Sequence, residues 1–213
     1  MKKRSAVRKI QAKFLITGLV FLLINLLLVF NSSSAETAQG WLLTGNGHYE
    51  KGKYDLALQA YTKAIELNPK LAEAYNNRGL TYSQKGNLDP AIADYTKALE
   101  LDPKNDSTLY NRGNAYAFKG KLDLAIKDYN QAIELNPKND RAYFNRANVH
   151  TRKGLLDQAV SDYTKAIELK PKDAFAYYQR GKIYQKKGDP AKAQADYKKA
   201  VELKPELAKQ PYQ

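Results

Sequence analysis

The 213 residues include no cysteine, and 35 lysines and arginines stand against 22 aspartates and glutamates. Without cysteine there is no disulfide, thiolate metal site, thiol nucleophile or lipid-modified N-terminal cysteine. A formal charge of +13 would suggest a nucleic-acid or membrane-surface protein if it were spread evenly, but it is not.

Six of the cations, Lys2, Lys3, Arg4, Arg8, Lys9 and Lys13, precede the first acid, Glu36; the remainder holds 29 basic and 22 acidic residues, a balance of only +7. Phe14 to Phe30 follows as an apolar run broken by Thr17, Gly18 and Asn25, and then comes Asn31-Ser32-Ser33-Ser34-Ala35. A basic flank, an apolar run and small residues together make an export segment. Ser33 and Ala35 stand at the small-residue positions of a signal-peptidase site, which favours cleavage after Ala35. The alternative is an uncleaved membrane anchor over Phe14 to Phe30. Such a helix would reach about 25 Å against a hydrocarbon core of about 30 Å, short but tolerable with local thinning. On either reading the positive flank stays in the cytoplasm, and everything after residue 35 is expected to be periplasmic or extracellular.

Beyond the leader the chain repeats itself. Pro69, Pro103, Pro137, Pro171 and Pro205 fall 34 residues apart. The same spacing relates Gly52, Gly86, Gly120, Gly154 and Gly188, as well as Tyr61, Tyr95, Tyr129, Tyr163 and Tyr197. Alanine columns begin at Ala57 and Ala64, and a leucine column at Leu67. Between columns, as in Ala91-Ile92-Ala93-Asp94-Tyr95-Thr96-Lys97-Ala98-Leu99, apolar residues return every three or four positions, the period of a helix. Each unit therefore reads as two helices. Glycine breaks the chain between them, an aspartate such as Asp89 meets the positive end of the second helix, and proline ends it.

These columns resemble the tetratricopeptide repeat, with a large residue at position 4, Gly or Ala at 8, Tyr at 11, Ala at 20, an aromatic at 24, Ala at 27 and Pro at 32. In the second unit these are Tyr75, Gly79, Tyr82, Ala91, Tyr95, Ala98 and Pro103. The resemblance covers residues 38–205, in units 38–71, 72–105, 106–139, 140–173 and 174–207, with a short tail over 206–213. It implies an all-α fold, a right-handed superhelical solenoid of antiparallel helix pairs, which the N-terminal apolar export or anchor helix read from the leader would precede. The concave face would be lined by the first helix of each pair.

Departures from the family pattern carry information. Position 7, usually leucine, is Thr44 and then Arg78, Arg112, Arg146 and Arg180, while position 23 is Ala60 and then Asp94, Asp128, Asp162 and Asp196. Arginine and aspartate arrive together, which predicts an ion pair between the two helices of each later unit. Positions 17 and 21 are apolar in four units but Pro190 and Gln194 in the last, so the array is expected to end there with a polar face.

Catalysis is not expected. His48 and His150 both replace the tyrosine of position 11, and with no cysteine they form neither a triad nor a zinc site. No cofactor or metal is implied. The better candidate is the groove. Position 6 is Asn77, Asn111, Asn145 and Gln179, whose amides can grip an extended backbone, and Tyr110, Phe144 and Tyr178 at position 5 could add apolar contact. Glu50 and Glu73 lie toward the first units, whereas Arg141, Arg152, Lys182 and Lys186 lie toward the last, which suggests a partner with an acidic part. The two-carboxylate clamp of this family is incomplete in every frame: Asn46 and Asn77, or Asn111 and Arg141, are present without the remaining cations. The sequence thus predicts a protein- or peptide-binding scaffold outside the cytoplasm, suited to envelope assembly or secretion. A self-associating, membrane-tethered homo-oligomer is the alternative, and nucleic-acid binding is disfavoured by export.

Overall fold

A computed structural model describes residues 37–209. Among them are ten α-helices, a closing 3-10 turn and no strand. The helices are α1 (Ala38–Glu50), α2 (Tyr54–Leu67), α3 (Ala72–Gln84), α4 (Leu88–Leu101), α5 (Asp106–Phe118), α6 (Leu122–Leu135), α7 (Asp140–Arg152), α8 (Leu156–Leu169), α9 (Ala174–Lys186) and α10 (Pro190–Leu203), with the turn over Pro205–Lys209. The export or anchor segment expected over residues 1–35 lies outside the described residues. No helix among the described residues is long and apolar enough to cross a membrane.

Local chemistry sets the helix ends. Thr37, Asn105, Asn139, Asp173 and Asp189 accept from backbone N–H groups of the first helical turn, as where Asn105 Oδ1 takes Thr108 N at 2.9 Å. These bonds satisfy donors that the helix itself cannot. The turn glycine of each pair has a positive φ, 74° at Gly120, where a side chain would be strained.

The chain divides into two compact bodies, one ending at Ala74 and the other beginning at Tyr75. In the first, α1 and α2 enclose Leu42, Ala57, Tyr61, Ala64 and Ala74. In the second, the pairs α5–α6, α7–α8 and α9–α10 each close over a tyrosine of α6, α8 or α10, namely Tyr129, Tyr163 or Tyr197. Each such ring contributes on the order of 2–3 kcal/mol by burial. Room for it comes from small residues on the facing helix: a Cβ on Gly113 would lie 2.8 Å from Tyr129 Cε1. In the fourth unit that place is Ala147, packed in the same cluster as Tyr163.

The ion pair expected from positions 7 and 23 is present four times. Arg78 holds Asp94 at 2.7 and 2.8 Å, and Arg112, Arg146 and Arg180 hold Asp128, Asp162 and Asp196 through the same two nitrogens. Three of the arginines also reach back one unit: Nη1 of Arg112, Arg146 and Arg180 donates to Thr96 Oγ1, Asn130 Oδ1 and Thr164 Oγ1. Outside this, Lys119, Lys153 and Lys187 pair with Asp89, Asp123 and Asp157 of the preceding unit. Neighbouring units also mesh through apolar residues. Ala115, Val149 and Ile183 sit over Leu88 and Ile92, Leu122 and Ile126, and Leu156 and Val160 respectively.

Asp196 on α10 keeps its arginine, but each device that joins one unit to the next changes there. The apolar seat becomes Pro190 and Gln194, the receiving aspartate becomes Ala191, and the arginine acceptor becomes Lys198. What remains there is an open recess of about 920 Å³, with Tyr197 and Val201 at its floor. The closing turn contributes Leu207 to the last core cluster.

Candidate functional site

Two smaller recesses open between successive first helices of the second body. One, of about 240 Å³ between α5 and α7, is lined by Asn114, Phe118, Asn145, Asn148 and Arg152 above Tyr129. The other, of about 350 Å³ between α7 and α9, is lined by Thr151, Gln179, Lys182, Gln185 and Lys186 above Tyr197. Neither lining contains a carboxylate.

The sequence-selected residues divide between this surface and the core. Asn145, Gln179, Arg152, Lys182 and Lys186 line the recesses. Arg141 is exposed at the start of α7, outside both. Asn77 and Asn111 belong to a polar cluster on α3 and α5: Asn76 donates to Asn77 Oδ1 at 3.0 Å, and Asn76 Oδ1 takes Thr108 Oγ1 at 3.0 Å and Asn111 Nδ2 at 3.5 Å. The aromatic column needs correction. Tyr178 is 5% exposed and packs on Tyr197 with ring centroids 5.7 Å apart, so it belongs to the core and offers no face to a ligand. Tyr110 and Phe144 are half-buried and spend a face in the same way on Tyr129 and Tyr163, at 6.2 and 5.6 Å. The aromatic that lines a recess and stands in the open is Phe118, 81% exposed.

The amides of the groove are held in defined orientations. Tyr129 donates to Asn114 Oδ1 and Tyr163 to Asn148 Oδ1, each at 2.7 Å. In the first body Tyr61 does the same to Asn46 Oδ1 at 2.8 Å. Burial is the main force raising these phenols, Tyr61 and Tyr163 to about 12 and Tyr129 further, so they remain proton donors at neutral pH. Asn145 Nδ2 bridges α7 to α5, reaching Asn114 Oδ1 at 2.8 Å and Tyr110 Oη at 3.0 Å. Arg152 Nη1 donates to the Ala117 carbonyl at 2.7 Å. Sequence reasoning passed over Asn114, Asn148 and Phe118, although the recurrence of asparagine at 46, 114 and 148 was there to be read.

Both histidines lie on first helices. His150 is partly buried, with Nε2 3.5 Å from Asp162 Oδ2. Burial lowers its pKa, Arg146 and Lys153 push the same way, and Asp162 opposes them. No group of three or more potential metal-ligating side chains converges among the described residues.

Family models described as "TPR repeat" match residues 45–86 and 149–188, and models described as "Tetratricopeptide repeat" match 72–105, 107–139, 128–161 and 174–207. Among solved structures, a crystal structure of MamA protein is 31% identical with a TM-score of 0.74, the alignment covering 82% of this chain and 96% of that one. YrrB, described as "a TPR protein with an unusual peptide-binding site", is 28% identical with a TM-score of 0.71, over 83% of this chain and 92% of that one. Pseudomonas aeruginosa pilF shares the fold at 21% identity, with a TM-score of 0.71 over 83% of this chain and 85% of that one. A comparison with curated proteins returns no match. With matched segments running almost without a break from residue 45 to residue 207, the chain belongs to the tetratricopeptide repeat family.

Proposed function

We propose that this protein is a non-enzymatic interaction module that holds an extended polypeptide segment across α5, α7 and α9, on the far side of the membrane from the cytoplasm. The observation that carries the proposal is the pair of recesses between consecutive first helices, both lined by amides and cations without a carboxylate. Side-chain amides pair with backbone N–H and C=O groups whatever the sequence of the bound chain, and a flat groove with repeated amides suits an extended segment. The likeness to YrrB supports a peptide as ligand. The basic leader, apolar run and Ser33-Ser34-Ala35 support export, with either cleavage after Ala35 or retention as an anchor.

The test is capture from the envelope fraction by the wild-type protein and by R152E/K186E. Both side chains are exposed, so the exchange should leave helicity unchanged and cost about 1–2 kcal/mol of stability, through the lost bond to the Ala117 carbonyl and the two reversed charges at helix C-termini, while removing the bound polypeptide. Retention of the same polypeptide by the variant would refute the groove reading.

A further inference from the structure

The groove reading says where a partner lies, and the orientation of the amides says what chemistry the partner carries. Asn114 and Asn148 both take a tyrosine hydroxyl proton on Oδ1. A buried phenol has to place its hydrogen on an acceptor; for Tyr129 that is Asn114 Oδ1, and for Tyr163, which Thr151 also approaches, it is Asn148 Oδ1, so in each case the amide oxygen faces the core. The geometry of a primary amide then turns Nδ2 toward the open side. Asn114 is locked twice, since Asn145 Nδ2 donates to the same oxygen; turned over, the two amino groups would oppose each other. Asn145 spends both amide hydrogens, on Asn114 and on Tyr110. It therefore brings only its Oδ1 to the groove.

Charge points the same way. Arg152 is anchored through one nitrogen on the Ala117 carbonyl, and its other N–H groups remain for a ligand. Lys182 and Lys186 extend the positive surface along α9. The surface thus presents hydrogen-bond donors and positive charge, with Phe118 open to solvent among them.

Building on the groove reading, we infer that the surface over α5, α7 and α9 takes an acidic polypeptide segment bearing a large apolar side chain, and that the hydroxyls of Tyr129 and Tyr163 are positioning groups that set this preference. Carboxylates of the segment accept from Asn114 Nδ2, Asn148 Nδ2 and Arg152, a backbone N–H meets Asn145 Oδ1, and the apolar side chain covers Phe118. Tyr129 and Tyr163 touch no ligand; they keep the amides from turning over and offering oxygen to an incoming carboxylate.

The probes are three blocked heptapeptides: a central phenylalanine flanked by glutamates, the same peptide with glutamines, and the glutamate peptide with alanine at its centre. Binding is followed by amide chemical shifts at low salt, up to millimolar peptide. A charged acceptor strengthens each hydrogen bond by about 1–1.5 kcal/mol over a neutral one, so the glutamate peptide should bind roughly tenfold tighter than the glutamine peptide. F118A should cost severalfold with the phenylalanine peptide and nothing with the alanine peptide. Y163F, whose unfolding is measured alongside, should shrink the glutamate-to-glutamine ratio by about threefold, as Asn148 becomes able to turn. A purely structural role for the hydroxyl would weaken both peptides alike and leave the ratio unchanged, which would overturn the positioning role. Equal affinity of the glutamate and glutamine peptides, both lost in R152E/K186E, would leave the groove standing and sink its polarity. If no peptide shifts a resonance, the groove reading falls as well. A single-stranded oligonucleotide that displaces the glutamate peptide more effectively than unlabelled peptide does would replace the polypeptide assignment.

Discussion

Replacing Arg112 with alanine tests whether the arginine–aspartate pairs brace the array. Arg112 gives Asp128 two charge-assisted bonds, at 2.7 and 2.8 Å, reaches Thr96 of the preceding unit at 3.2 Å, and lies 5.8 Å from the centre of the Tyr116 ring. Asp128 is 2% exposed, so R112A strands a carboxylate that water reaches poorly. Breaking a buried pair from one side costs about 3–5 kcal/mol. The arginine side chain itself is 17% exposed, and water entering its place places the expected loss near 3 kcal/mol, the lower end of that range. Removing both charges behaves differently: R112M/D128L exchanges the pair for apolar side chains of similar volume and should lie within about 1 kcal/mol of wild type. Urea unfolding followed by circular dichroism gives both numbers, with the m-value checked because repeat arrays can lose cooperativity. If R112A costs under about 1 kcal/mol, or the double variant is as unstable as the single one, the pair does not brace the fold as its burial and geometry imply.

Three further outcomes follow from the same geometry. His150 has a folded-state pKa below its ordinary value, chiefly through burial, so the unfolded chain takes up the proton first. Its contribution is fully present above the unfolded value of about 6.5 and is lost as pH falls toward the folded one; thermal unfolding from pH 7 to 5 should show this loss, and H150Y, which installs the residue of units two, three and five, should remove it. G113A brings a Cβ to 2.8 Å from the Tyr129 ring; about 1–3 kcal/mol of overpacking outweighs roughly 1 kcal/mol of helix propensity, so urea unfolding should show a net loss of about 1 kcal/mol. On the end face, P190L/A191D/Q194I/K198T restores the apolar seat, the lysine partner and the hydroxyl acceptor found between interior units, and sedimentation should turn from monomeric to self-associating while the wild type stays monomeric.

Much of this architecture was legible because each column does one job at one place. Proline and glycine mark the chain breaks, tyrosine and glycine face each other across a helix pair, and the joint appearance of Arg78 with Asp94 through Arg180 with Asp196 announced a contact that is present in all four cases. The site was less legible for a geometrical reason. Helix periodicity tells which residues share a face of one helix, but not which face meets a second helix, so Tyr178 read as groove although it stacks on Tyr197. Asn46 and Lys182 were noticed separately, but Asn114 and Asn148 were not joined to them because Leu80 and Lys182 interrupt the asparagine column at position 9. Its meaning also depends on a hydroxyl that comes from the other helix of the pair.

That dependence ties the core to the binding surface. The ring of Tyr129 or Tyr163 packs as the core requires, while its hydroxyl emerges at the seam and dictates which end of an asparagine faces the groove. Where position 9 is Leu80, the corresponding hydroxyl, on Tyr95, meets Ser83 Oγ at 3.3 Å, and no ninth-position amide is presented in that unit. Where position 9 is Lys182, a cation replaces the amide donor outright. Read from unit three to unit five, position 9 runs Asn114, Asn148, Lys182 and position 13 runs Phe118, Arg152, Lys186. Both columns pass from neutral to cationic in the same direction. A bound segment would therefore have a polarity imposed on it, with its apolar side chain over Phe118 on α5 and its carboxylates drawn most strongly to the cations of α7 and α9. A substitution at Phe118, Lys182 or Lys186 changes that preference while leaving in place the bonds that Asn114, Asn148 and Arg152 make between helices.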